Sequence, residues 1–143
     1  MTTPLTGGCL CGAIRYSVSV PITELRACHC THCQRASGAG GSVNAVIPSA
    51  AFTLTQGTPK RYAGTADSGR TLYRDFCGEC GSPIYSQRAT VPETLVLRAG
   101  TLDAPGDMRI TAHIWTRSAR PWSTIDPACA QFPGQPDAPA TKS

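Results

Sequence analysis

Apolar and polar residues alternate over short stretches of this chain, and the stretches end at glycine, proline or polar turn residues. Alternation with a period of two, rich in β-branched and aromatic residues, predicts β-strands. The strands predicted in this way cover residues 13–18, 42–47, 51–56, 60–63, 70–77, 84–87, 94–99 and 110–115. No stretch predicts a helix longer than two turns. The pattern therefore predicts a mainly β fold.

The segments between the predicted strands are predicted as turns and loops. Residues 34–41 are small and polar, which is typical of a loop beside a site, and residues 64–69 are predicted as a turn. From Phe132 onward the chain is rich in proline and alanine. We therefore predict one domain over residues 1–132 and a flexible tail over residues 133–143.

Composition narrows the class of protein. The chain has 143 residues, 41% of them hydrophobic, and no apolar run approaches the roughly 18 residues of a membrane span. The first five residues show no secretion signal, so eight cysteines predict a reducing, cytoplasmic setting in which metal ligation is favoured over disulfides. The net charge of +4 is scattered, which argues against nucleic acid and is compatible with a small anionic substrate.

The densest chemistry lies at residues 28–33 (CHCTHC), where three thiols and two imidazoles fall within six positions. Such a density indicates either a soft metal site or a redox pair formed by Cys30 and Cys33. Two further pairs, Cys9/Cys11 and Cys77/Cys80, are set among glycines in the manner of metal-binding knuckles.

Seven of the cysteines can be divided in more than one way. The economical division is a closed site of four thiols and an open site of three, since a structural zinc takes four ligands and a catalytic zinc keeps a position free. The closed site would contain Cys9, Cys11, Cys77 and Cys80, and the open site Cys28, Cys30 and Cys33. A zinc ribbon of Cys30/Cys33 with Cys77/Cys80 is a weaker alternative, because its gap far exceeds the roughly 15–20 residues of a simple ribbon. A redox pair is also weaker, because no βαβ pattern surrounds it.

Three motifs resemble one known family. They are residues 9–12 (CLCG), 28–38 (CHCTHCQRASG) and 76–83 (FCGECGSP), and the late stretches 113–115 (HIW), 120–122 (RPW) and 131–132 (QF) follow the same pattern. Their order and spacing are similar to those of the glutathione-dependent formaldehyde-activating enzymes, a family that also contains centromere protein V. The resemblance runs from about Gly7 to Phe132.

The resemblance implies a compact, tent-like zinc-binding fold of short antiparallel strands, like that of Rab-exchange accessory proteins. It implies two Zn²⁺ ions per chain: a structural zinc on Cys9, Cys11, Cys77 and Cys80, and a second, labile zinc on Cys28, Cys30 and Cys33. The activity it implies is that of a carbon–sulfur lyase, an S-(hydroxymethyl)glutathione synthase that joins glutathione to formaldehyde. The branch of centromere protein V leaves an alternative, a non-catalytic zinc-stabilised interaction module.

The open site suggests how such a reaction would run. A thiolate substrate, glutathione in the first place, would enter the free zinc position and attack a small electrophile, so Cys28, Cys30 and Cys33 are the predicted catalytic residues. Arg35, directly after the cluster, is predicted to bind a glutathione carboxylate, with a solvated arginine as the equal alternative.

Other reactive side chains receive lesser roles. His29 and His32 are expected to orient the thiols, and His113 is expected to be an ordinary core or surface histidine. Cys129 is predicted to be a bystander thiol. Trp115 and Trp122 are expected in the core or in a pocket wall.

Overall fold

The computed structural model describes residues 4–65 and 69–136 and shows a mainly β protein. Within these residues one short helix, α1 (Thr31–Ser37), accompanies eleven strands and three 3₁₀ turns at Ser49–Ala51, Ala99–Thr101 and Thr116–Ser118. The strands are β1 (Leu5–Gly8), β2 (Arg15–Val18), β3 (Glu24–Cys28), β4 (Ser42–Pro48), β5 (Phe52–Gln56), β6 (Lys60–Thr65), β7 (Thr71–Phe76), β8 (Pro83–Arg88), β9 (Thr94–Arg98), β10 (Arg109–Ile114) and β11 (Ala130–Phe132).

The strands form two sheets. A three-stranded sheet has the order β1-β2-β5, and an eight-stranded sheet has the order β11-β10-β3-β4-β9-β8-β7-β6. The strand pairs are antiparallel except that β10 runs parallel to both β3 and β11. The predicted mainly β fold with antiparallel sheets is confirmed. The described helices include none that is both apolar and long enough to cross a bilayer.

The apolar core contains one face of the large sheet and the inward residues of the small one. Tyr16 and Val18 of β2 pack in the same buried cluster as Ile47 of β4, Leu95 and Leu97 of β9. Because side chains alternate between the two faces of a strand, Val96 and Arg98 of β9 point to the opposite face of the sheet. That opposite face carries the site described below.

The sequence pattern missed several elements. Strands β1, β3 and β11 were not predicted, and the predicted loop 34–41 is wrong over its first four residues, which continue helix α1. The helix begins where the amide of Cys33 donates to the sulfur of Cys30 at 3.3 Å, and it ends where the amide of Gly38 donates to the carbonyl of Gln34 at 2.8 Å. A thiol that serves as the N-cap is outside the usual capping residues, so the start signal was not recognised.

Two predicted segments extend beyond the described residues. Of the predicted turn 64–69, residues 64 and 65 continue β6, and residues 66–68 lie outside the described residues. Of the predicted tail, residues 133–136 are described and 137–143 are not. Trp115 binds this segment twice: its amide donates to the carbonyl of Gly134 at 3.2 Å, and its indole Nε1 donates to Oε1 of Gln135 at 3.1 Å.

Candidate metal centres and substrate cavity

The first cysteine cluster joins two distant parts of the chain. The Sγ atoms of Cys9, Cys11, Cys77 and Cys80 all lie within 4.8 Å of one another. Cys9 and Cys11 follow β1, whereas Cys77 and Cys80 lie in the turn between β7 and β8. The cluster therefore connects the small sheet to the large one.

Backbone amides and a hydroxyl surround these sulfurs. The amide of Ile14 donates to Sγ of Cys9 at 3.2 Å, and the amide of Glu79 donates to Sγ of Cys77 at 3.4 Å. The Ser82 hydroxyl lies 3.2 Å from Sγ of Cys80, and its hydrogen bond lowers the pKa of the Cys80 thiol to about 5. Such donors favour the thiolate form that a metal binds.

The spacing of the sulfurs fits zinc. With Zn–S bonds of about 2.3 Å, tetrahedral geometry places the sulfurs about 3.8 Å apart. Sγ of Cys11 lies 3.7 Å from Sγ of Cys9 and 3.8 Å from Sγ of Cys77. Four soft donors at this spacing match a closed zinc site.

The second cluster contains three thiols. The Sγ atoms of Cys28, Cys30 and Cys33 also lie within 4.8 Å of one another. Cys28 ends β3, Cys30 caps helix α1, and Cys33 lies on the first turn of that helix, so a strand end and a helix start bring the sulfurs together. Cys28 and Cys33 are buried and Cys30 is partly exposed. The described residues thus form two separate clusters, and Cys30 and Cys33 do not join Cys77 and Cys80 as a ribbon would require.

A chain of hydrogen bonds leads from a charged side chain to this cluster. Nη1 of Arg98 donates to Oδ1 of Asn44 at 2.7 Å, and Nδ2 of Asn44 donates to Oγ of Ser42 at 3.0 Å. Ser42 in turn lies beside the Cys33 thiol and contributes to lowering its pKa. Hydrogen bonds from Cys28, Cys30 and Ser42, together with the positive charge of Arg98, lower the pKa of Cys33. The chain therefore stabilises negative charge on Cys33.

Strand register builds this chain. In the sheet, Asn44 of β4 is paired with Arg26 of β3 on one side and with Arg98 of β9 on the other. Ser42 is paired with Cys28 two residues further along the same strands. The polar row across β3, β4 and β9 thus ends at the three-thiol cluster.

A cavity of about 470 Å³ opens onto the second cluster. All three thiols border it, as do five arginines contributed by or next to the strands of the large sheet, and no aspartate or glutamate among the described residues does. The arginines are Arg26, Arg70, Arg74, Arg88 and Arg98. The volume lies within the range of small-molecule sites.

The charge of this cavity is not balanced by the described residues around it. Nε of Arg26 and Nη1 of Arg74 are buried without a hydrogen-bond partner. Burial lowers the pKa of Arg26, and so does the positive charge of Arg88. Burial and the positive charge of Arg74 likewise lower the pKa of Arg98. Buried donors without acceptors are costly, so the cavity is suited to an anion that accepts from them.

A second, smaller cavity of about 250 Å³ adjoins the same cluster. Cys33 and Arg98 border both cavities. The remaining lining of the smaller cavity is uncharged and consists of Ala36, Ser37, Gly41, Ser42, Val43, Pro83 and Gly100.

The structure places several predicted residues away from this chemistry. Arg35 is exposed on α1 and borders neither cavity. Cys129 belongs to neither cluster, and its Sγ donates to the carbonyl of Ile110 at 3.2 Å. Trp122 is 68% exposed, whereas Trp115 borders the larger cavity.

The three histidines divide between the core and the cavity. His29 and His113 are buried, their rings are stacked, and Nε2 of His29 lies 3.0 Å from Nδ1 of His113. Burial and then the charge of His113 lower the pKa of His29. His32 borders the larger cavity beside the thiols.

Sequence reasoning missed the residues that shape the cavity and support α1. Strands β7, β8 and β9 each carry one arginine, and only the pairing of the strands in the sheet decides that these arginines share a face. Gln34 lies in the predicted loop, but in the structure it is buried. Its Nε2 donates to the carbonyls of His29 and Ser118, both at 2.8 Å. Its Oε1 accepts from Nε of Arg120 at 2.6 Å.

Fold and site together define a class: small β proteins with two cysteine clusters able to hold metal and a basic cavity at one of them. The sequence profile of the glutathione-dependent formaldehyde-activating enzyme family matches residues 4–118. The chain belongs to this family.

Two individual proteins are similar to the chain. A curated protein of Sordaria macrospora, which carries the same family description as a provisional name, is 31% identical over 90 residues, or 59% of this chain. The chain spans 37% of the length of that relative. A crystal structure of a Rhodobacter sphaeroides protein shares the fold, with a TM-score of 0.57 and 22% identity over 74% of this chain and 99% of that one.

Proposed function

We propose that the chain is a zinc-dependent enzyme of the carbon–sulfur lyase type that joins the thiol of glutathione to formaldehyde or a similar small electrophile. One observation carries the proposal: a three-thiol cluster opens into a cavity whose charged lining consists of arginines. The family description and the name of the Sordaria macrospora relative both refer to glutathione and formaldehyde. The free state of all eight cysteines agrees with a reducing compartment, which we propose is the cytoplasm.

Glutathione suits the cavity because it carries two carboxylates. A carboxylate can accept two parallel hydrogen bonds from one guanidinium. Arg26 and Arg74 offer buried nitrogens that lack an acceptor, so they are the proposed carboxylate-binding residues in place of Arg35. Binding there would place the peptide beside the thiols of Cys28, Cys30 and Cys33.

The two clusters fit zinc in different ways. The closed cluster of four thiols is proposed as the structural site, and the cluster of three as the second site. Zinc bound by three thiolates supplies a Lewis acid that favours the thiolate form of an incoming thiol. Two sets of protein groups support that chemistry. The Ser42 hydroxyl and the positive charge of Arg98 stabilise negative charge on Cys33. The arginines of the larger cavity would hold the substrate within reach of the cluster.

Zinc and glutathione binding test the proposal directly. We expect the purified protein to hold two zinc ions per chain, to bind glutathione in calorimetry, and to accelerate the exchange between hydrated formaldehyde and its glutathione adduct measured by NMR. Cys30→Ser should lose the second zinc and the acceleration, whereas Cys129→Ser should keep both, because Cys129 belongs to neither cluster.

Two arginine variants, one inside the larger cavity and one outside it, distinguish specific glutathione binding from general attraction to positive charge. Arg74→Gln should weaken glutathione binding by about tenfold, the value of one charge-assisted hydrogen bond. Arg109→Gln is the matched control, since Arg109 is exposed and borders neither cavity. Two tightly held zincs with no glutathione binding and no acceleration would favour the non-catalytic interaction module instead.

A further inference from the structure

The smaller cavity differs in chemistry from the larger one, although both reach the same cluster. Among the described residues its lining has one charged side chain, that of Arg98, and the others are small or apolar. Its volume of about 250 Å³ is roughly half that of the arginine-lined cavity. Moving an anion from water into this space costs more desolvation free energy than moving a small uncharged molecule there, so the cavity favours the uncharged molecule.

We propose that the smaller cavity is the binding site of the second substrate, a small uncharged aldehyde, and that the two substrates reach the cluster from different sides. The inference rests on the proposed function and adds a route and a subsite to it. The anionic thiol occupies the arginine-lined cavity. The aldehyde enters past Ala36, Val43 and Gly100.

The residues between the cavities suit the meeting of the two reactants. Cys33 and Arg98 border both cavities, and Ser42 borders the smaller one together with them. Asn44 fixes the guanidinium of Arg98 with a 2.7 Å hydrogen bond. A cation held in place at this junction stabilises the negative charge that develops on the carbonyl oxygen during attack.

The reaction at the junction balances without an oxidant or a reductant. An electron pair of the substrate thiolate forms the new C–S bond, and the π pair of the carbonyl moves to its oxygen. The resulting alkoxide takes a proton from water, and the proton that the thiol gave up earlier has gone to solvent. The product is the hydroxyalkyl thioether of the aldehyde, which for formaldehyde is a hydroxymethyl thioether.

Gly100 is a lining position at which the size of the smaller cavity can be varied. A Cβ atom built there meets no atom within 4 Å, so the backbone leaves room for a side chain, and alanine, valine and leucine should narrow the cavity to an increasing degree. Ala104→Leu introduces the same leucine side chain at an exposed position that borders neither cavity. Arg88→Gln changes the larger cavity alone.

Steady-state kinetics of these variants with formaldehyde and glutathione test the two routes. Gly100→Leu should raise the KM for formaldehyde about tenfold or more while the calorimetric Kd for glutathione stays within about twofold, with Gly100→Ala and Gly100→Val between it and the wild type. Arg88→Gln should raise the Kd for glutathione and leave the KM for formaldehyde near that of the wild type. If Gly100→Leu leaves the KM for formaldehyde unchanged, or raises the Kd for glutathione as Arg88→Gln does, the smaller cavity is not the aldehyde route.

A second measurement does not depend on turnover, so it separates this inference from the proposed function. Iodoacetamide is small and uncharged, and mass spectrometry reports its reaction with Cys33 in the full-length, metal-containing protein. Gly100→Leu should slow this alkylation severalfold, and Ala104→Leu and Arg88→Gln should leave the rate near that of the wild type. Equal rates in all variants would overturn the inference, whereas a wild type without turnover would count against the proposed function alone.

Discussion

Nη1 of Arg98 donates a 2.7 Å hydrogen bond to Oδ1 of Asn44, and this contact fixes the orientation of the Asn44 amide. Because Oδ1 faces Arg98, Nδ2 faces Ser42 at 3.0 Å. Ser42, whose oxygen already accepts this bond, has its proton free for the Cys33 sulfur. The positive charge of an arginine on β9 is thereby connected to a thiol on α1.

Replacement of Asn44 should show the value of this contact. Asn44→Leu keeps the volume but removes the acceptor from partly buried Arg98, so we expect the free energy of unfolding to fall by about 1–3 kcal/mol. Urea denaturation of the zinc-loaded protein measures it. Val46→Ala, at an exposed position of the same strand, should change stability by no more than about 0.5 kcal/mol. Equal stability of Asn44→Leu and wild type would show that the contact contributes nothing.

The two cysteine clusters should respond differently to mutation. Cys77 is buried and joins the two sheets, so Cys77→Ser should lose one zinc and most of the cooperative thermal transition. Cys30 is partly exposed at the start of α1, so Cys30→Ser should lose one zinc and keep that transition. Zinc counted per chain beside a calorimetric melting curve separates the two effects. A Cys77→Ser protein as stable as Cys30→Ser would contradict the structural role of the first cluster.

Gly41 controls the approach of β4 to the end of β3. Its φ of 154° is one that L side chains rarely adopt, and a Cβ there would overlap the carbonyl oxygen of Cys28. We expect Gly41→Ala to cost roughly 1–3 kcal/mol and to weaken zinc retention at the second cluster, because Cys28 must shift. Gly100→Ala is the control, since its Cβ meets open space. The prediction fails if both variants unfold at the same urea concentration.

Acid should remove an ion pair that links β2 to the loop after the second 3₁₀ turn. Nη1 of Arg15 lies 3.1 Å from Oδ1 of Asp103, and Arg15, then the Thr6 hydroxyl, lower the pKa of Asp103. A carboxylate with a lowered pKa stabilises the fold above its unfolded-state pKa of about 3.9, and that contribution disappears as the pH falls through the lower folded-state value.

Asp103→Asn measures this contribution. The wild type should melt above Asp103→Asn at neutral pH, and the two melting temperatures should converge below about pH 4. Because the pair is exposed to solvent, added salt should shrink the difference at neutral pH. A difference that stays constant from neutral to acid pH would rule out the ion pair as its cause.

The sequence alone predicted the class of fold and the grouping of the thiols. Alternating residues predicted most of the strands, because side-chain alternation is a local property of an extended backbone. Local knuckles were predicted from the short spacings within Cys9/Cys11, Cys28–Cys33 and Cys77/Cys80, because residues this close in sequence stay close in space. Strands β3 and β11 were not predictable in this way, since each is held in the sheet by pairing with β10. Both pairings are parallel and depend on the tertiary fold.

The arginine-lined cavity depended on tertiary structure. Arg26, Arg74 and Arg98 are separated by dozens of residues, and only the strand order and register place them on one face of the large sheet. Arg35 is adjacent to the thiols in sequence, yet the helix turns it toward solvent. Local spacing thus identified the two thiol pairs and the trio, because a few residues of backbone keep their sulfurs close, whereas the packing of the two sheets brought Cys9/Cys11 and Cys77/Cys80 into one cluster. Long-range strand pairing decided which charges surround the three-thiol cluster, because it alone brings distant strands side by side.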